Sequence, residues 1–447
     1  MWFWLLACTG LDDGQGDSGD SPVDTQDTAV ENEALLETWY SWQSAETGVA
    51  TGMAWADFDG DNFAELVVAY GNDIQRGPLV VYDNVEGELE VEASWSSDSL
   101  HFYGHLSTGD VNGDGLPDVA VSRFLGDSGF SEPGGAQVFL NIGGELETTP
   151  SWESPESFYS FSCALGDVDN DGDLDLAVAV GEAYYNDPDV SRLYLNDGSG
   201  NFGSTAWTTE IPRHSFDVAW ADFDSDGWLD LAFANHSSPH TLYFNQGGSL
   251  GDAPGWTAEG VDEEFEGNTL DWGDVDGDGN LDLLVSENKQ AVGLGVVGLW
   301  CGPDLELCWQ SEDGEDYQSA VSLEDVDGNG RLDVVAGAWW GLARIYLNET
   351  GFPETSPSWE SDDACVIEAF AWEDVNGSDW TENSVSGEGL VAVPGRGRVL
   401  SVTGGVAQDG WISGPGAVQA SYLESVQRDL ALSNWEKQIG NRLYARP

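Results

Sequence analysis

Six short segments carry carboxylates at a spacing that suits a hard cation. They read Asp-apolar-Asp-turn-Asp-x-x-x-acid and stand at 57–65 (DFDGDNFAE), 110–118 (DVNGDGLPD), 167–175 (DVDNDGDLD), 222–230 (DFDSDGWLD), 274–282 (DVDGDGNLD) and 325–333 (DVDGNGRLD), with Asn in place of an acid at 112 and 329. Position 2 is apolar in every copy and position 4 is Gly, Asn or Ser. Side chains at positions 1, 3, 5 and 9 therefore converge, while the residue at position 2 points into a core. Four crowded carboxylates raise one another's pKa unless a cation neutralises them. Ca²⁺ takes six to eight oxygens in a flexible geometry, which suits four side chains, the backbone carbonyl at position 7 and water; Mg²⁺ demands a stricter octahedron and ranks second.

The expected ligands follow loop by loop. Loop one offers Asp57, Asp59, Asp61 and Glu65 with the Phe63 carbonyl. Loop two offers Asp110, Asn112, Asp114 and Asp118 with that of Leu116. Loop three offers Asp167, Asp169, Asp171 and Asp175 with that of Asp173. Loop four offers Asp222, Asp224, Asp226 and Asp230 with that of Trp228. Loop five offers Asp274, Asp276, Asp278 and Asp282 with that of Asn280. Loop six offers Asp325, Asp327, Asn329 and Asp333 with that of Arg331. A seventh copy, DVNGSDWTE from Asp374, is degenerate, so about six Ca²⁺ sites are expected. An EF-hand starts in the same way but needs Glu at position 12 between helices. Here position 12 is Val68, Val121, Val178, Phe233, Val285 or Ala336, and β-branched and aromatic flanks read as strands.

The elements that must position these loops repeat with them. Loop starts fall at 57, 110, 167, 222, 274, 325 and 374, and Trp recurs at 42, 95, 152, 207, 256, 309, 359 and 411. Each unit reads as four strands: one entering the acidic loop, one leaving it, a third of the form LYLN or TLYFN, and a fourth bearing the Trp. The fold class is therefore all-β, and four-stranded units of about 50 residues repeated radially make a β-propeller. Eight Trp copies over 38–447 predict eight blades, with seven as the alternative. The strand near Trp42 is expected to complete the last blade, beside the one near Tyr444, and so close the ring without an exposed edge.

The acidic loops and the RLYLNDGSGNF-type third strands (192–202) resemble the FG-GAP/VCBS repeats of integrin-α-type propellers over about 38–447. The resemblance implies structural calcium in the hairpin between a blade's first two strands, with partners bound on the opposite face.

The rest of the chain bounds function. Of 447 residues, 82 are acidic and 13 basic, a formal charge of −69, which argues against nucleic acid and anionic lipid as partners. The apolar start ending in Leu5-Leu6-Ala7-Cys8 is similar to a bacterial lipobox, with residues 1–8 as signal and Cys8 as the lipidated residue. Residues 9–37 read as a disordered acidic linker. The protein is then expected outside the cytoplasm, as an outer-membrane or cell-surface lipoprotein or a secreted one, meeting a membrane only through its lipid. Such a compartment permits a disulfide, for which Cys301 and Cys308 are candidates.

The scarce bases and several aromatics fall in connections on the face opposite the acidic loops. Arg123, Tyr184, Tyr185, His214, His236, His240, Trp339, Trp340, Arg396 and Arg398 make the candidate ligand face, less negative than the remainder, for protein or carbohydrate. No nucleophile-elbow, zinc-protease or phosphate-loop motif occurs, so a binding or adhesion module rather than an enzyme is expected. The alternative is a polysaccharide lyase or hydrolase on a calcium-bearing propeller.

Overall fold

The computed structural model describes most of residues 40–375 and, beyond them, strand segments at 402–403, 406–407, 430–432 and 442–444. All lie in one compact unit, Ala34–Pro447. Cys8, the linker, Tyr185, Cys365, Asp374, Arg396, Arg398 and Trp411 lie outside the described residues.

Six antiparallel sheets each take four strands in simple up-and-down order. Blade one is Ala50–Ala56, Glu65–Gly71, Arg76–Tyr82 and Trp95–Ser96. Blade two is Phe102–Gly109, Asp118–Gly126, Gly129–Phe139 and Trp152–Glu153. Blade three is Ser162–Gly166, Asp175–Ala179, Arg192–Tyr194 and Trp207–Thr208. Blade four is His214–Ala221, Asp230–His236, Thr241–Tyr243 and Trp256–Thr257. Blade five is Gly267–Gly273, Asp282–Glu287, Val296–Cys301 and Glu306–Gln310. Blade six is Tyr317–Glu324, Asp333–Trp339, Arg344–Tyr346 and Trp359–Glu360.

First strands of successive blades lie side by side from blade one to blade six. They read as near-continuous apolar or small residues because both of their faces are covered; Ala50–Ala56 and His214–Ala221 are buried along their whole length. Most of the hydrophobic clusters span two neighbouring blades. One joins Leu165 and Leu176 of blade three to Val138 of blade two, and another joins Leu270 and Leu283 of blade five to Leu242 of blade four.

The periodic Trp has a physical role in this arrangement. From a blade's fourth strand it meets the aromatic side chain on the next blade's third strand. The pairs are Trp95–Phe139 at 6.3 Å, Trp152–Tyr194 at 5.2 Å, Trp207–Tyr243 at 5.1 Å and Trp309–Tyr346 at 5.7 Å between centroids, all edge-on. Edge-to-face pairs add about 0.5–1.5 kcal/mol beyond the area they bury.

The blade count corrects the sequence reading. The described residues form a six-bladed propeller, not one of eight or seven blades. Eight was counted from eight Trp positions, but past residue 361 the described residues build no further four-stranded sheet. The ladder of acids that organises the other hairpins lapses there, with Asn376 and Ser378 in the degenerate loop. Instead, Tyr40–Gln43, Arg442–Tyr444 and Leu430–Leu432 form a three-stranded sheet, with Tyr40 opposite Tyr444 and Trp42 opposite Leu443. Trp42 stacks edge-on against Tyr82 of blade one at 5.2 Å. Residues 366–373 and Val375 belong to no strand, yet they pack on both blades six and one. The Ile367 amide donates to the Ala338 carbonyl at 3.2 Å, Trp372 Nε1 donates to Ser322 Oγ at 2.9 Å, and Val375 is buried in the blade-one cluster.

Candidate metal centres and the opposite face

All six acidic loops occupy the hairpin between a blade's first two strands, and all fold alike. The position 1 carboxylate accepts the N–H groups of positions 5 and 6. In loop one Asp57 accepts from Asp61 at 3.0 Å and Asn62 at 2.9 Å; in loop six Asp325 accepts from Asn329 at 2.9 Å and Gly330 at 2.8 Å. The position 5 side chain accepts the N–H of position 7, as in Asp61–Phe63 at 2.8 Å and Asp226–Trp228 at 3.0 Å. Such contacts require a left-handed backbone at position 6. Five loops place Gly there, and loop one places Asn62 at φ 75°, a residue that tolerates the conformation.

Position 9 differs from the other three acids. Its side chain is buried, and Asp118, Asp175, Asp230 and Asp333 each take two backbone donors, whereas Glu65 accepts the Phe58 N–H at 2.7 Å. Asp118 accepts the Val111 N–H at 2.8 Å and the Asn141 N–H at 2.6 Å; Asp175 accepts those of Val168 at 3.1 Å and Asn196 at 2.9 Å. Burial drives these pKa values up despite the donors, with the neighbouring acids adding to the rise. Glu65, Asp175 and Asp333 reach about 8, and Asp118, Asp230 and Asp282 about 7. Burial likewise raises Asp167, Asp222, Asp274 and Asp325 at position 1.

Several of these clusters could bind a metal ion. Carboxylate oxygens of Asp57, Asp59 and Asp61 lie within 4.8 Å of one another, as do those of Asp167, Asp169 and Asp175, of Asp222, Asp224 and Asp226, and of Asp274, Asp276 and Asp278. The residues present fit a hard cation: the donors are oxygen throughout, and buried Asp169 Oδ1 has no hydrogen-bond partner. Cys301 lies near Asp276 and Asp282, but its sulfur is bonded to Cys308 and is not a ligand. Cys163 is a buried free thiol.

The opposite face assembles differently. His240 is fully buried; its Nδ1 accepts the Asn235 N–H at 3.2 Å and its Nε2 lies 2.7 Å from Glu287 Oε1. Both nitrogens are thus engaged, which leaves no atom for proton transfer to a substrate. His214 and His236 face each other across strands one and two of blade four. Burial lowers the pKa of His214, and it takes His236 down to about 4, so both are neutral at pH 7. Arg123 pairs with Glu153 at 3.4 Å, Arg76 with Asp127 at 3.1 Å, Arg192 with Asp189 at 2.9 Å, and Arg344 with Asp316 at 2.7 Å. These bases cancel acids locally rather than creating a positive patch. Trp339 is buried, whereas Trp340 (41% exposed) and Tyr184 (53% exposed) reach solvent.

Sequence reasoning set Phe124, Phe130 and Tyr184 on this face but missed Tyr159 and Phe161, which join them in one aromatic run. Phe124 meets Phe130, Tyr159 and Phe161 at 5.5–6.3 Å, and Phe130 meets Tyr184 at 6.1 Å. The run FYSF at 158–161 was its signal in the sequence.

Blades, acidic hairpins and inter-blade cores together define a repeat-built β-propeller. The FG-GAP-like repeat model matches residues 57–121, 110–178, 179–233 and 222–285, and the chain belongs to that family. No curated protein matches it. Among solved structures, BBS1N in complex with ARL6DN is 12% identical, with TM-score 0.51 over 93% of this chain and 96% of that one. The Vibrio cholerae biofilm matrix protein Bap1 is 16% identical, with TM-score 0.41 over 65% of this chain and 46% of its own. At such identities the first likeness shows the fold alone.

Proposed function

We propose that the protein is a calcium-stabilised binding module of the extracytoplasmic surface. The observation that carries the metal half is the same oxygen-only loop built six times, with buried acids whose pKa values rise when no cation is present. Ca²⁺ would be held by positions 1, 3, 5 and 9 of each loop, with the position 7 carbonyl and water completing the shell. Metal titration by calorimetry should give about six sites, and a stoichiometry near zero would refute the reading.

The binding half rests on the other face, where solvent-exposed Tyr184 and Trp340 offer ring surfaces for a sugar or for a protein side chain. Engagement of both His240 nitrogens favours binding over catalysis. Screening on a glycan array and against surface proteins, with and without chelator, tests this. The reading predicts a ligand whose capture is lost in Tyr184→Ala; capture that is indifferent to Tyr184 and Trp340 would move the site elsewhere.

Attachment would run through a lipid on Cys8. Metabolic labelling with an alkyne fatty acid should mark the wild type and not Cys8→Ala; equal labelling would contradict the anchor.

A further inference from the structure

In blades two, three, four and six the third strand is followed by an Asn that joins two acidic loops. Its main-chain N–H donates to the position 9 acid of its own blade: Asn141 to Asp118 at 2.6 Å, Asn196 to Asp175 at 2.9 Å, Asn245 to Asp230 at 2.7 Å and Asn348 to Asp333 at 2.7 Å. Its side-chain Nδ2 donates to the position 2 carbonyl of the preceding loop. Asn141 reaches Phe58 at 2.8 Å, and Asn196, Asn245 and Asn348 reach Val111, Val168 and Val275 at 2.7 Å each. The N–H of that same position 2 residue is held by the position 9 acid of its own loop, as in Val111–Asp118 at 2.8 Å and Val168–Asp175 at 3.1 Å. A continuous chain of hydrogen bonds thus runs from loop one through loop four, and another from loop five to loop six. An exposed bond adds to the link between loops three and four, where Asn170 Nδ2 donates to the Gly227 carbonyl at 2.9 Å.

The chain stops between blades four and five. Where the other blades have Asn, blade five has Gly302, whose N–H still reaches Asp282 at 2.9 Å but which has no side chain to reach Phe223. Aromatic packing, Phe223 against Trp272 at 5.6 Å, fills that junction instead. Rings in van der Waals contact do not fix a peptide's orientation as a hydrogen bond does.

We propose that metal binding is coupled between neighbouring loops through these Asn residues, in two blocks, loops one to four and loops five to six, with no coupling across the junction of blades four and five. The proposal rests on the metal reading above. Fixing the position 1, 3 and 9 ligands of one loop fixes the position 2 peptide between them. That peptide orients the next blade's Asn, whose N–H sets the next position 9 acid. The Asn residues touch no ion in this scheme and act as positioning residues.

Loop four carries its own reporter, because Trp228 stands at position 7 where the other loops have Phe, Leu, Asp, Asn and Arg. Tb³⁺ used as the probe, excited through tryptophan and corrected with Trp228→Phe, reads loop four alone. Disabling loop three with Asp167→Asn and Asp171→Asn should raise the loop four midpoint about fivefold or more, at the lower end of typical coupling factors. Disabling loop five with Asp274→Asn and Asp278→Asn removes the same charge from the other neighbour and should leave the midpoint unchanged. In an Asn170→Ala/Asn245→Ala background, with folding confirmed by circular dichroism, disabling loop three should no longer move it. Equal shifts from loops three and five, or a loop three effect that survives loss of both Asn residues, would overturn the coupling alone. Absence of any Trp228-sensitised emission would overturn the metal reading and the coupling with it.

Discussion

The two faces of this propeller solve opposite problems. On the acidic-loop face one local solution recurs six times, down to the same carboxylate accepting the same two amides. On the other face the described connections differ: the hairpin after Gly126 is short, Glu182 bridges Asp187 and Asp189 bridges Arg213, and blade four buries His214 and His240. Repetition marks where the chain manages its own folding cost, and variety marks where it is free to meet something else.

The comparison can be broken first at the blade interfaces. Trp152 is buried against Tyr194 and Phe202, and Trp152→Ala should cost about 3–5 kcal/mol by denaturant unfolding. Tyr184→Ala on the opposite face should cost less than about 1 kcal/mol, since the residue is half exposed and its ring meets only Phe130 edge-on. Similar losses from the two would erase the distinction.

The next effect in size is that of the Asn residues. Asn196→Ala strands the carbonyls of Val111 and Leu174, which its side chain holds at 2.7 and 3.1 Å, and should cost about 1–3 kcal/mol. Arg123→Ala removes a pair whose Glu153 partner is exposed and should cost less than about 1 kcal/mol.

A third contrast is pH. Without metal, the position 9 acids have folded-state pKa values near 7–8, well above those of unfolded carboxylates. The folded chain then holds more protons than the unfolded one, so stability is fully present at acid pH and falls as pH rises through 7–8. Melting temperatures in chelator should decline from pH 5 to pH 8. In calcium the trend should reverse, because protons compete with the ion for the same oxygens. Parallel profiles in the two conditions would contradict the placement of these acids at the metal.

Much of this was legible in the sequence because a loop's chemistry is local. Positions 1 to 9 lie within one hairpin, so Asp57 and Asp61 were bound to meet whatever the rest of the chain did. The Asn at 141, 196, 245 and 348 also stood out as a recurring strand end, but its partner lies 73–85 residues back in the sequence for these four. Only the ring geometry brings them together. The blade count failed for a related reason: Trp411 kept the period of a repeat whose loop chemistry had already lapsed. His214 opens and His236 closes a strand of blade four, with only His240 in the connection between strands, and position along the chain does not distinguish a side chain turned inward, such as His240, from one facing solvent.

The central claim is that the acidic loops hold calcium as part of the fold. Its most direct test is thermal unfolding of the purified protein at neutral pH in excess calcium, in excess chelator, and in chelator followed by calcium. A single site at a hundredfold over its Kd adds about 2.7 kcal/mol, so several sites together should move the midpoint by at least about 10 °C. The account predicts that loss in chelator and its full recovery when calcium is restored. One unchanged midpoint across all three conditions would contradict it.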